Sequence, residues 1–296
     1  MAANGGIITM ADLAAYEPVV RRSVTVPVGA WTLATNPPPA IGGPVLAAML
    51  HLLDGRPRAQ WSGDDVAHLV RVLRAVLEYR AANLDVATDR ATAGQALLDG
   101  VDAAGQEWLG VSPSTAHVSA VDVDGFACAV TASSGYLSGV SVPGTGVWLN
   151  NCLGEHELNR GGPHSLAPGE RLASNMAPTV GFDSGARVLA IGSPGADRIT
   201  SALTQVISSF AHGSYGLREA VDRPRMHVRR GLDGSELLEH EEDLVVPPLP
   251  PEVELPRHVH HPASMYFGGV GAALAGPCGH LEAAADPRRG GAVAFG

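Results

Sequence analysis

The chain has 296 residues, 45% hydrophobic and 17% charged, with 20 basic against 30 acidic side chains and a formal net charge of −10. That balance supports a sizeable buried core and excludes a disordered chain. The negative charge, broken only by short basic runs at 228–231 and near the C-terminus, argues against nucleic acid or an anionic membrane as the main partner.

The chain opens on "TMADLAAY", where Thr9 reads as the N-cap of a short helix. "SVTVPV" and "WTLATN" read as strands. "NPPPAIGG" (36–43) then turns the chain into the apolar helix "PVLAAMLHLLDG", since prolines are excluded from a helix interior and glycines permit close backbone approach. Residues 64–100 carry apolar side chains at helical spacing. "SPSTAHVSAVDVDGFACAVTAS" (112–133) reads as a hairpin with a turn at "DVDG". A Gly/Pro-rich loop, "SGVSVPGTGVWLNN", and a polar loop through Gly169 follow. "SNMAPTVGF" and "RVLAIG" form a further strand pair, and a helix starts just after Pro194-Gly195. Beyond Ala220 lie short strands, a proline-rich loop and a final strand pair. Sheets and helices alternate in blocks, which predicts layered α+β packing with no clear domain boundary.

The cysteines, Cys128, Cys152 and Cys278, are odd in number and lack metal-ligand spacing, so a disulfide framework is not expected. Cys128, inside a strand, reads as a small core hydrophobe. The first residues lack the basic and apolar regions of a secretory signal, and no apolar run approaches about 20 residues, so a cytoplasmic protein without a membrane span is expected.

The motifs "GGIITMADLAAY", "NPPPAIGG", "STAHVSAVDVDG", "VPGTGVWLNN", "APTV", "IGSPGADR", "DRPRMH" and "AADPRRGGAV" occur in one order and at one set of spacings. Each alone is weak. Together they resemble the gamma-glutamyltransferase family of N-terminal-nucleophile hydrolases, over essentially the whole chain. The resemblance implies a four-layer αββα sandwich, here incomplete at its N-terminal side. Residues 1–114 would correspond to the later part of the family's large subunit and 115–296 to its small subunit, in one joint domain.

What the resemblance implies for chemistry is a precursor that cuts itself between Ser114 and Thr115, leaving Thr115 as a new N-terminus and nucleophile. A threonine hydroxyl needs a base beside it, and a freed α-amino group, with a reference pKa near about 7.7–8.0, serves at neutral pH. On the residues alone, Thr115 also reads as an ordinary strand-entry residue. The family's oxyanion hole, two adjacent backbone amides, matches Gly195 and Ala196 in "GSPGADR", where a glycine-rich turn opens a helix and presents N–H groups. A simple helix-start turn is the alternative. Ser133 matches a hydroxyl that assists the nucleophile, with Thr131 one period-2 step earlier on the same face.

The substrate pocket departs from the pattern. The residues that hold a glutamyl α-amino group match Gly135, Cys152 and Glu155, so only the acidic charge is kept. The two serines that hold the α-carboxylate match Ser174 and Asn175, both able to donate hydrogen bonds. An arginine clamp belongs to a region that precedes this chain's match, and the loop 155–171 has no tyrosine to act as a lid. The expected activity is transfer of a glutamyl-type acyl group from a small-molecule amide such as glutathione to water or an amine. The alternatives are an acylase of different side-chain specificity, of the cephalosporin-acylase type, and a truncated non-catalytic member whose apolar helix 44–54 is exposed. The cleaved pieces are expected to stay associated, with a separate N-terminal segment as a further partner. No cofactor and no metal is implied. The tract "RHVHHP" (257–262) has no carboxylate or cysteine nearby in sequence and reads as a polar loop. His117 reads as structural, the acidic run 239–244 as a solvated edge, and Asp286 and Arg288 as packing residues.

Overall fold

A computed structural model describes residues 6–54, 63–104, 116–135, 137–155, 162, 165–213, 215–231 and 233–296. In chain order the elements are α1 (Met10–Ala15), β1 (Val24–Val28), β2 (Trp31–Thr35), α2 (Gly42–Leu53), α3 (Gly63–Tyr79) running into a π-helical turn (Arg80–Leu84), α4 (Arg90–Ala104), β3 (Ala116–Val121), β4 (Ala127–Ala132), β5 (Thr179–Asp183), β6 (Val188–Gly192), α5 (Arg198–Ala211), α6 (Leu217–Asp222), β7 (Met226–Arg230), β8 (Glu236–Glu241), β9 (Arg257–His260), β10 (Gly271–Gly276) and β11 (His280–Ala285).

The organising layer is a six-stranded sheet in the order β1-β2-β5-β6-β10-β11, antiparallel throughout. Two of its strands precede the hairpin β3–β4 and four follow it, so both halves of the chain build one sheet. Helices α2 and α5 cover one face, with Leu46, Ala47 and Leu50 of α2 meeting Ile199, Leu203 and Val206 of α5 and Val26, Trp31 and Leu33 of the sheet. The opposite side of α2, through Val45, Ala48, Met49 and Leu53, packs into a second core with α3, where Val66, Leu69, Val70, Leu73, Val76 and Leu77 recur at helical spacing.

Helix α2 is apolar on nearly every side because it is buried on nearly every side, with His51 exposed and Leu52 half-buried near its C-terminal end. The expectation that it would be exposed is corrected: α3, α4, α5 and β1 enclose it.

The hairpin β3–β4 lies on the other face of the sheet, over β6 and β10. Asp122 shapes its turn, its Oδ1 accepting from the amides of Asp124 and Phe126 at 3.0 and 2.9 Å, and Gly125 takes φ +86°. Odd-numbered residues of the hairpin face the sheet and are half-buried, while even-numbered ones are exposed. Cys128 is one of the exposed set, not the core residue expected from its strand. Strand alternation puts it beside Val118 and Val130 on an outer face that no element covers among the described residues.

The third sheet sets β8 between antiparallel β7 and parallel β9. Its central position corrects another expectation. Within the acidic run, Glu239 and Glu241 are buried. Glu241 accepts from Arg288 Nε and Nη2 at 2.8 and 2.5 Å and from the Arg225 amide at 2.8 Å, and Asp286 pairs with Arg225 at 2.6 Å. A buried carboxylate persists when it is paired and hydrogen-bonded, and here the C-terminal "DPRR" supplies the partners. No helix among the described residues is long and apolar enough to cross a membrane.

Candidate active site

Ser114 and Thr115, the expected cleavage site and nucleophile, lie outside the described residues. The surroundings of the point where the chain enters β3 are described. Ala116 pairs with Ala132, so Ser133 directly follows the pair that opens the strand. Ser133 is half-buried, and its Oγ accepts from the Gly135 amide at 3.1 Å.

Three of the expected pocket residues converge with Ser133. Gly135 has φ +58°, and a Cβ on it would collide with Asn151 Oδ1 and Glu155 Oε1. Glu155 is fully buried. The Cys152 thiol is pushed up to about 11, by burial first and then by the charge and hydrogen bond of Glu155, against a smaller opposing hydrogen bond from Ser133. At neutral pH it is a thiol, not a nucleophilic thiolate. The space a side chain would need at Gly135 is filled by Asn151 and by Glu155. Asn151 had no signal of its own in the sequence beyond sitting in "WLNN".

The inner face of the hairpin carries a hydrogen-bond chain. His117 Nδ1 lies 2.8 Å from Thr131 Oγ1, and its Nε2 lies 2.7 Å from Ser119 Oγ. Ser119 donates its proton to the Gly271 carbonyl at 3.0 Å. Its oxygen must then accept from His117 Nε2–H, which leaves Nδ1 to accept from Thr131. Burial pushes the His117 pKa down to about 4, so the ring is neutral at physiological pH. The ring packs where Gly192 ends β6, and a Cβ there would strike it. Thr131, expected only to share the strand face, thus orients the ring, and His117 fastens β3 to β6 and β10.

From Gly192 the chain turns through Ser193-Pro194-Gly195-Ala196 into α5. Gly195 has φ +130° and Ala196 φ +71°. A Cβ at Gly195 would lie 2.5 Å from Gly268 Cα, which accounts for the glycine. The Gly195 carbonyl accepts from Arg198 N at 3.0 Å, inside the first turn of α5. The Ala196 N–H, on the other side of that trans peptide, points opposite to that carbonyl. Asp197 follows, paired with Arg198. Burial alone would raise its pKa, but His227 and Arg198 hold the carboxyl below the usual range.

Ser174 and Asn175 stand on the loop leading into β5. The Ser174 carbonyl accepts from the amides of Ile41 and Gly42 at 2.8 and 3.1 Å, and a Cβ on Gly42 would collide with the Asn175 carbonyl. This explains "AIGG": the first turn of α2 closes directly onto the loop. Asn175 is buried, its Oδ1 accepting from Arg80 Nη2 at 2.5 Å. Arg80 also pairs with Asp85, Nε to Oδ1 at 3.0 Å, with both side chains 1% exposed. Sequence reasoning missed Arg80. Its signal was a basic residue three positions after Leu77 on the buried stripe of α3.

A cleft of about 690 Å³ runs along β3, lined by Ala116, Val118 and Ala120 on one side and Gly271, Ala273 and Ala283 on the other.

The family described as gamma-glutamyltranspeptidase matches the chain over residues 1–296. An acylase ACY 1 proenzyme from Pseudomonas sp. (strain SE83) is 31% identical over 257 residues, covering 78% of this chain and 45% of that protein. The glutathione hydrolase proenzyme of Escherichia coli (strain K12) is 26% identical over 336 residues, covering 97% of this chain and 55% of that protein. The crystal structure of cephalosporin acylase from Bacillus halodurans superposes with a TM-score of 0.68 at 20% identity, over 99% of this chain and 56% of that one, which shows a shared fold. The chain thus spans about half the length of the curated relatives it matches. With a match along its entire length, the chain belongs to the gamma-glutamyltranspeptidase family.

Proposed function

We propose that this chain is the core of a self-processing amide hydrolase and acyltransferase whose nucleophile is Thr115. The observation that carries the reading is the family match over the whole chain, within which Thr115 immediately precedes β3 and Ser133 immediately follows the strand pair Ala116–Ala132. In the first step the Thr115 hydroxyl attacks the carbonyl of Ser114, and the peptide shifts to an ester that water opens. The new α-amine of Thr115 then takes the hydroxyl proton as Thr115 attacks a substrate amide carbonyl. The oxyanion is met by the amides of Gly195 and Ala196. The tetrahedral intermediate collapses as the leaving amine takes that proton, giving an acyl ester on Thr115. Water or an acceptor amine attacks the ester in turn. Ser133 positions the hydroxyl.

The acyl group we propose is of glutamyl type, from an amide such as glutathione. Glu155 is the surviving acidic partner for an α-ammonium group. Ser174 and Asn175 serve its carboxylate, with Arg80 holding Asn175. The fold in this reading is the four-layer αββα sandwich. Further strands beside β3, in the cleft along its edge, and helices over Val118 and Val130 come from chain outside these 296 residues or from a second chain. Residues 1–114 and 115–296 then form one joint domain whose cleaved pieces stay together, as both contribute strands to one sheet.

A second reading, an acylase with another acyl specificity, is favoured by Gly135 and Cys152, which replace the family's polar groups. Intact-mass analysis of purified protein tests the first claim: cleavage between Ser114 and Thr115, abolished by Thr115→Ala, is expected, and a chain that stays whole overturns it. A panel of γ-glutamyl and acyl anilides tests the second, with preferential turnover of the glutamyl compound rejecting the acylase reading.

A further inference from the structure

We propose that Glu239, His258 and His260 form a binding site for a zinc-class divalent transition-metal ion. The parallel pairing of β8 with β9 sets Glu239 opposite His258 and Glu241 opposite His260. Strand alternation therefore places His258 and His260 on one face with Glu239. His258 Nδ1 lies 2.8 Å and His260 Nε2 2.6 Å from the same carboxylate oxygen, Glu239 Oε2. The ligand atoms of all three residues lie within 4.8 Å of one another. A tetrahedral ion with bonds of about 2.0–2.1 Å holds its ligand atoms roughly 3.3 Å apart, so these atoms need move by less than about 1 Å to enclose one.

Two imidazoles and one carboxylate are a donor set that suits zinc, with one position left for water or another ligand. The surroundings hold the donors in place. Glu239 is 3% exposed, and its other oxygen, Oε1, accepts from Arg229 Nε at 2.8 Å, which orients the carboxylate. The His260 ring stacks on Tyr266, centroids 4.4 Å apart at 17°, and meets the Phe267 ring edge-on at 5.1 Å. His258 is the exposed ligand and gives an ion access. The carboxylate that the sequence tract lacked comes from β8, about twenty positions earlier. An ion here ties β9 to the central strand of its sheet. The site is separate from the hairpin chemistry and does not depend on the proposed function.

The test is zinc titration by calorimetry, with cobalt absorption as a second reading, on tag-free full-length chain stripped with chelator. One ion per chain is expected, with a tetrahedral cobalt spectrum. His258→Asn, at an exposed position that leaves the fold intact by circular dichroism, is expected to weaken binding at least about tenfold. Glu239→Gln is expected to do the same where it folds. Absence of binding, or binding unchanged in His258→Asn and in the His258→Asn/His260→Asn double variant, overturns the proposal.

Discussion

Acidification should loosen the hairpin through His117. Its ring is neutral in the folded chain, with burial pushing its pKa from the ordinary 6.5 down to about 4. Above pH 6.5 neither folded nor unfolded chain protonates this ring, and its contribution to stability is fully present. As pH falls from 6.5 to about 4 the unfolded chain takes up a proton that the folded chain refuses, so stability is lost across that window. The difference is about 2.5 pKa units, and at about 1.4 kcal/mol per unit it amounts to up to roughly 3 kcal/mol. The assay is urea unfolding between about pH 7.5 and 4.5, comparing the parent with His117→Gln. Both carry Thr115→Ala so that one unbroken chain unfolds. Every other side chain is the same in both proteins and cancels in the difference, which is expected to shrink by about 2–3 kcal/mol as pH falls. A pH-independent difference would refute the reasoning. Where His117→Gln folds too poorly to measure, the ring's own NMR titration decides: a midpoint above about 6 has the same refuting force.

Three further outcomes follow from local geometry. Ala196 has φ +71°, a conformation costing an L-residue about 1–2 kcal/mol, so Ala196→Gly should raise stability by about 1 kcal/mol in denaturant unfolding. Arg80→Met should destabilise by about 3–5 kcal/mol, because the Asp85 carboxylate, 1% exposed, loses the guanidinium paired with it. Gly135→Asn should cost about 1–3 kcal/mol through collision with Asn151 and Glu155, and adding Glu155→Asp should recover part of that loss, read as a positive coupling in a double-mutant cycle.

The local elements were legible because their causes are local. Thr9 and Asp12 form the capping box that starts α1, Asp122 and Gly125 make the hairpin turn, and the stripe from Val66 to Leu77 makes α3. The turn before α5 was legible for the same reason: a glycine before a helix is a short-range signal. The ordered motifs carried the family. Burial was not legible, since it depends on what comes from elsewhere in the chain. Cys128 and Cys152 are the same residue type, yet one is exposed on an uncovered hairpin face and the other is pressed against a buried carboxylate. Glu239 and Glu241 look like a solvated edge until Arg229, Arg225 and Arg288 arrive from other strands and from the C-terminus.

The sequence by itself determined the strand and helix periods, the turns, and the residue types available to the candidate site. Tertiary structure decided which of those residues share a place: Gly135 with Asn151 and Glu155, Arg80 with Asn175, His117 with Thr131 and Gly192, Glu239 with two histidines of a neighbouring strand. The physical reason is separation along the chain. Hydrogen bonds and steric exclusions between residues distant along the chain leave no periodic trace, and only the packing of sheets, helices and loops brings them within reach.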